Sequence, residues 1–242
     1  MNQSATRLPR FFFRTSPQAC PYLRGRIERN IFTELSGSDA DAIYSALVRN
    51  GFRRSHRIVY RPDCSACQAC TPVRVRVREF EPTRSQARVW RRNADLLADE
   101  RPARATREQY RLFRAYVAGR HGDGEMAAMG LDEYCGMIDD TPVDTRVVEF
   151  RDPDGVLRAA CLLDRVEDGL SAVYSFFDVG AESRSLGTHM VLWVIERARA
   201  MDLPYAYLGY WIAESRKMAY KARFKPLEAL GAEGWRVLDG AD

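Results

Sequence analysis

The residues from Tyr60 to Val77, YRPDCSACQACTPVRVRV, place Cys64, Cys67 and Cys70 three apart. Thiolate clusters favour zinc or iron–sulfur centres, and a structural zinc site calls for four ligands. Cys20, in ACPYLRGR, is the candidate for the fourth. The other reading is a tight turn of small buried cysteines. A disulfide staple is disfavoured by the C-x2-C-x2-C spacing and by the reducing cytoplasm, the expected compartment.

A second group spans residues 205–226, YAYLGYWIAESRKMAYKARFKP, mixing Tyr205, Tyr207, Tyr210, Trp211 and Tyr220 with Lys217, Lys221 and Lys225. The chain has 34 Arg but three Lys, all of them here and spaced by four. On a helix that spacing aligns the three amines along one face. A buried ammonium can shed its proton, whereas a guanidinium does not. Interleaved aromatic and basic side chains also suit single-stranded nucleic acid, by stacking and phosphate contact; Tyr205 and Tyr207 read equally well as core. A third group is SRSLGTH. Ser185, Leu186, Gly187 and Thr188 form a small-residue turn at a helix start, where free N–H groups receive a phosphate or a carbonyl oxygen. The glycine-rich signature of coenzyme A binders is absent. His56, His121 and His189 are scattered, with no Ser/His/Asp or zinc-hydrolase spacing.

These groups need elements to hold them. SGSDADAIYSALVRNG (36–51) reads as a helix with Ser38 as cap and Gly51 as stop. TPVRVRVREF alternates, which predicts a strand with Val73, Val75 and Val77 buried and Arg74, Arg76 and Arg78 on a basic face. TRSQARVWRRNADLL reads as a helix and ERPARA (100–105) as a linker. TREQ, from Thr106 to Gln109, is a capping box opening a further helix. TRVVEFR, VLRAACLLDRV and LSAVYSFFDV, separated by DPDG and EDG, form a strand meander. SLGTHMVLWVIERARAMDLP is an amphipathic helix, YAYLGYWI a strand, and AESRKMAYKARF a last helix carrying the lysines. The expected fold class is mixed α/β (α+β), a mixed sheet flanked by helices. It is expected as two parts, 1–100 with the cysteine knuckle and 106–235.

With 46% hydrophobic and 29% charged residues, the chain can bury a core. No apolar run reaches the roughly 20 residues that span a bilayer, so no membrane is expected. The N-terminal apolar run of three falls short of the roughly 7–15 of a signal peptide. Residues 1–100 carry 18 Arg against 10 Asp and Glu, a net +8, while residues 101–242 carry a net −4. A basic half suggests a polyanionic partner; a solvated arginine surface is the plainer reading.

Several blocks together resemble one family. They are CPYL (20–23), GFRRSHRIVYRPDCSACQACTPVRV (51–75), YRLFRAYVAGRHGDGEM (110–126), SFFDVGAESRSLGTHMVLWVIE (175–196) and YAYLGYWIAESRKMAYKARFKPLEAL (205–230). The chain resembles the aminoacyl-tRNA–protein transferases over about residues 10–232, in particular their short bacterial branch. The resemblance implies transfer of leucine from a charged tRNA, leucyl-tRNA, to proteins with N-terminal Asp or Glu, which marks them for N-end-rule degradation. Arginine as the donated residue is the alternative. It also implies an acetyltransferase-like second half, with iron–sulfur or metal binding associated with the cysteine region. Where the family usually has Asp-Pro after the third strand, this chain has Asp178-Val179.

Such transfer requires no cofactor, because the aminoacyl ester is already activated. The protein must hold amine and ester together, remove a proton and stabilise an oxyanion. Ser185 to Thr188, with the N–H groups near Leu186 and Gly187, are candidates for the tRNA end. Asp178 or Tyr210 is the candidate proton acceptor or relay. Arg76, Arg216 and Lys217 are candidates for the acidic acceptor side chain, with Lys221 beside them as a substrate-binding candidate. Competing expectations are a coenzyme A-dependent N-acyltransferase and a non-enzymatic RNA- or metal-binding module.

Overall fold

A computed structural model describes residues 11–120 and 125–238; His121 lies outside these residues. The strands are β1 Phe13–Arg14, β2 Gln18–Ala19, β3 Ile27–Glu28, β4 Asn30–Glu34, β5 Arg53–Ser55, β6 Ile58–Pro62 and β7 Thr71–Arg76. They continue with β8 Leu97–Pro102, β9 Thr145–Arg151, β10 Leu157–Val166, β11 Gly169–Phe177, β12 Tyr205–Trp211, β13 Leu227–Gly231 and β14 Gly234–Val237. The helices are α1 Ala40–Arg49, α2 Arg84–Arg92, α3 Arg107–Arg120, α4 Leu131–Asp139 and α5 Leu186–Ala200.

Eight strands form one sheet in the order β14-β13-β7-β12-β11-β10-β9-β8. Each neighbouring pair is antiparallel except β11 and β12, which run parallel. The alternation that suggested the meander also sorts its faces. Val148, Phe150, Ala159 and Cys161 point to the side of α5, where Met190, Val194 and Ile195 complete the core. Val147, Ala160, Leu162 and Phe176 point to the other side, against Phe113 and Val117 of α3 and Tyr134 and Ile138 of α4. The result is a mixed sheet with helices on both faces.

A smaller sheet, β1-β4-β6-β5, joins α1 around Leu35, Tyr44, Val48 and Val59. Besides apolar packing on Val166 and Tyr207, it is tied to the large sheet by a fully buried ion pair. Arg54 of β5 forms a two-pronged pair with Asp164 of β10, at 2.7 Å on each prong, and Thr145 donates to the same carboxylate at 2.7 Å. A buried pair of this kind survives only when its oxygens and N–H groups are filled, as they are here.

Three local expectations change. Of the residues expected as a linker, Glu100 to Pro102 belong instead to β8, which pairs with β9 at the sheet edge. LADERP carries no apolar alternation because it is exposed over most of its length. Strand β7 ends at Arg76, before the expected strand does, and Val77 opens a 3-10 turn, Val77–Glu79; Val73, Val75 and Val77 are buried as expected, at 1%, 0% and 0%. The three arginines do not form one solvated strand face: Arg74 lies under aromatic rings, Arg76 is partly exposed and ion-paired, and Arg78 lies beyond the strand. Arg74 is buried, bonds Glu228 at 2.7 Å and stacks over Tyr205 at 3.5 Å and Trp235 at 4.3 Å. The lysine segment forms a short 3-10 turn, Ala219–Arg223. Only Lys221 lies on this turn, so no helix aligns the three amines: Lys221 is buried while Lys217 and Lys225 are exposed.

Candidate active site

Parallel strands β11 and β12 pair over Gly169–Tyr205, Leu170–Ala206 and Ser171–Tyr207. Beyond Ser171 they diverge, and residues 172–175 of β11 change from buried to half-buried. Arg53, from β5, fills the base of this wedge. Its Nη2 donates to the carbonyls of Ala172 at 3.0 Å and Val173 at 2.6 Å. On the β12 side the guanidinium occupies the place of a side chain at Gly209. A Cβ there would fall 1.5 Å from Arg53 Nη1, and the backbone φ is +75°. Glycine thus serves both a close approach and a left-handed turn in the chain.

Lys221 enters the same region from the Ala219–Arg223 turn. Its Nζ donates to the Tyr210 carbonyl at 2.6 Å. Burial, and then the Arg53 charge, bring its pKa down from 10.5 to about 7. Aromatic side chains gather nearby. Tyr116 lies 4.9 Å from Phe177, and burial followed by Tyr116 pushes the Tyr220 hydroxyl up to about 12. Each diverging strand also carries one buried polar group without a partner, Tyr174 Oη on β11 and Trp211 Nε1 on β12. Such groups are uncommon in folded proteins, and a bound substrate offers them partners.

Tyr210 stands in the wedge wall, but its hydroxyl faces away from it. It lies 3.0 Å from the Gly51 carbonyl and 3.2 Å from that of Tyr60. Burial holds its pKa far above the ordinary value, so the proton stays on. Asp178 is engaged twice: Oδ1 accepts from the Gly180 N–H at 2.9 Å and Oδ2 from Arg158 at 2.8 Å. It caps the 3-10 helix Val179–Arg184, which leads into α5. A carboxylate so committed is a support for that turn rather than a free base, which corrects the expectation for Asp178 as it does for Tyr210.

Ser185 adopts the left-handed conformation, φ 52° and ψ 49°, and α5 begins at Leu186. Helix starts leave N–H groups without intrahelical acceptors, here around Leu186 and Gly187. Gly187 lies against Phe177: a Cβ there would be 3.3 Å from the ring. Thr188 donates its N–H to the Ser185 carbonyl at 3.0 Å. Arg216 and Lys217 are exposed on the turn between β12 and Lys221. Arg76 is not among these residues. It pairs with Glu79 and, at 3.9 Å, with Glu228. Its strand partner is Tyr205, at the end of β12 opposite the wedge.

The sequence reading missed Arg53, one of 34 arginines with nothing local to single it out. Gly209, an interior-strand glycine among apolar neighbours, was the available signal.

All six cysteines are free thiols. Cys20, Cys64, Cys67 and Cys70 come within electrostatic reach of one another: burial first, then the other three, push the Cys70 thiol up to about 12. Each of the other three sulfurs has a protein partner. Cys20 accepts from the Leu23 N–H at 3.4 Å, Cys67 from Arg26 at 3.0 Å, and Cys64 donates to the Arg29 carbonyl at 3.7 Å. Among the described residues no three His, Cys, Asp or Glu side chains are placed to hold one metal ion. The four-cysteine metal set expected from the sequence does not fit this geometry. A cleft of about 490 Å³ at the far end of the sheet is lined by the pairs Arg146–Asp144 and Arg197–Glu100 and by Arg165.

A guanidinium and a buried amine whose charge is disfavoured, meeting at a strand divergence, suit attack of an amine on an activated carbonyl. The family described as "Arginine-tRNA-protein transferase, N terminus" matches residues 18–88, and its "C terminus" counterpart matches residues 108–231. The "Aspartate/glutamate leucyltransferase" of Paramagnetospirillum magneticum is 56% identical over 98% of this chain and 97% of its own. That of Parvibaculum lavamentivorans is 56% identical over 98% of each chain. The chain belongs to this tRNA–protein transferase family, within its aspartate/glutamate leucyltransferase branch. Among solved structures, L-PGS from Bacillus licheniformis aligns over 65% of this chain and 53% of its own, with a TM-score of 0.48 and 7% identity. No helix among the described residues is long and apolar enough to cross a membrane.

Proposed function

We propose that the protein transfers leucine from leucyl-tRNA to the α-amine of proteins beginning with Asp or Glu, marking them for N-end-rule degradation. The observation that carries this reading is the meeting of Arg53 and Lys221 where β11 and β12 part. The acceptor nitrogen attacks the ester carbonyl carbon, a tetrahedral oxyanion forms, and the carbon–oxygen bond to the ribose breaks. Lys221 Nζ takes the proton the attacking amine must lose and returns it to the departing ribose oxygen. Arg53 meets the carboxylate of the acceptor's acidic first residue. The Leu186 and Gly187 N–H groups face the 3′ end of the tRNA, and Asp178 fixes the turn that presents them. The ester supplies the activation, so no cofactor takes part and no step involves the cysteines.

The test mixes the protein with tRNA charged with labelled leucine or, separately, labelled arginine, and with peptides beginning Asp, Glu or Ala. Label from leucine on the Asp and Glu peptides alone is expected. Transfer from arginine alone changes the donor. Transfer from neither, with folded protein, defeats the proposal.

A further inference from the structure

The arginines of α2 take part in none of the interactions above. Arg84, Arg88 and Arg91 recur at i, i+4 and i+7, which makes one stripe on a helix. All three are exposed. Elsewhere on the surface arginines find carboxylates, as in Arg78–Asp202, Arg101–Asp99 and Arg184–Asp95. Among the described residues Arg84, Arg88 and Arg91 have no such partner. Trp90 turns its ring to His189 of α5, 5.3 Å between centroids, on another side of the helix. The stripe is about 10 Å long, from seven residues at about 1.5 Å each.

Both ends of α2 are fastened to the site. Near its start Gln86 Nε2 donates to the Arg223 carbonyl at 3.0 Å, at the end of the turn that carries Lys221. Beyond its last residue Asn93 Nδ2 donates to the Arg184 carbonyl at 2.8 Å, one residue before Ser185 and the start of α5. Arg92 donates to the neighbouring Ser183 carbonyl. The helix therefore lies beside the wedge, and its unpaired guanidinium groups continue outward from it.

We propose that this arginine face docks the phosphate backbone of the donor tRNA, holding the acceptor stem so that its 3′ end reaches the wedge. The proposal rests on the reading of the donor as a charged tRNA. Several guanidinium groups in a row, none neutralised by the protein, match an extended polyanion. An acceptor protein does not explain them, because its acidic residue is the terminal one and enters the wedge itself.

The test uses the full chain with Arg84→Gln, Arg88→Gln and Arg91→Gln combined. A control triple, Arg104→Gln, Arg107→Gln and Arg111→Gln, removes equal charge at and before α3, which packs on the opposite face of the sheet. Uncharged tRNA binding is followed by fluorescence anisotropy at several salt concentrations. Transfer is followed from leucyl-tRNA and from leucyl-adenosine. For the α2 triple the slope of log affinity against log salt is expected to shrink by about 2–3. Its preference in kcat/KM for leucyl-tRNA over leucyl-adenosine is expected to fall at least tenfold, while the control triple keeps the wild-type slope. Equal losses in both triples, or none in the α2 triple, overturn the proposal. If the wild type binds tRNA with the predicted α2 dependence but transfers nothing, the surface stands and the transfer reading falls. If it transfers leucine and the α2 triple binds as the wild type does, the reading stands and the surface falls.

Discussion

Lys221 pairs its ammonium with a single backbone carbonyl and sits in a site already holding a guanidinium. Burial and like charge both favour the neutral amine, and with a pKa of about 7 it is a ready proton acceptor near neutrality. The acceptor α-amine titrates at about 7.7–8.0. Both groups are therefore protonated below pH 7, and log kcat/KM should climb there with a slope approaching 2. Lys221→Met should reduce activity and leave a slope of 1, the acceptor's own, in a pH profile with an Asp-initiated peptide; an unchanged slope removes Lys221 from proton transfer. The same residue leaves a mark on stability. Its folded pKa lies below the unfolded 10.5, so between about pH 7 and 10.5 the unfolded chain binds more protons. Its contribution to stability therefore rises with pH across that window, and denaturant titrations of wild type and Lys221→Met should converge or cross accordingly.

At the scale of elements, β12 contributes as much by what it lacks as by what it carries. Gly209 leaves the space through which Arg53 reaches the carbonyls of β11. Gly209→Ala should displace the guanidinium and strain a left-handed backbone at a cost of about 1–3 kcal/mol. We expect a lower denaturation midpoint together with a loss of transfer on Asp and Glu peptides; a stable, fully active variant would dismiss the Arg53 assignment. This is also where the sequence and the structure part company. The meander β9–β11 and helix α5 were legible because alternation and helical periodicity are local signals. Edge strand β8 was hidden because its exposed residues carry no alternation. The lysine segment was misread because one buried amine outweighs a spacing pattern. Arg53 acquires its meaning from carbonyls 119 and 120 residues away, a distance no window of sequence spans. Lys221 stood out by its residue type, while Arg158, which pairs with Asp178, and the Gly51 and Tyr60 carbonyls that bind Tyr210 lie in other segments.

At the scale of the molecule, the division expected near residue 100 meets a sheet that runs across it. β7 lies between β12 and β13, and β8 covers β9. A fragment of residues 106–235 would lose both strands, the Arg54 side of the buried pair with Asp164, and the valine layer of the main core. It should fail to give a dispersed amide NMR spectrum where the full chain does; a well-dispersed fragment would show that the second part folds alone. The same topology sets a schedule for the nascent chain. Val73 and Val75 leave the ribosome early, yet β12 and β13, the strands that flank them, are made more than 130 residues later. At about 5–20 residues per second, the apolar face of β7 waits on the order of 10–30 s for its neighbours. Between the making of β7 and that of β12 the chain therefore carries Val73 and Val75 with neither flanking strand yet made, an apolar segment open to contact with other nascent chains.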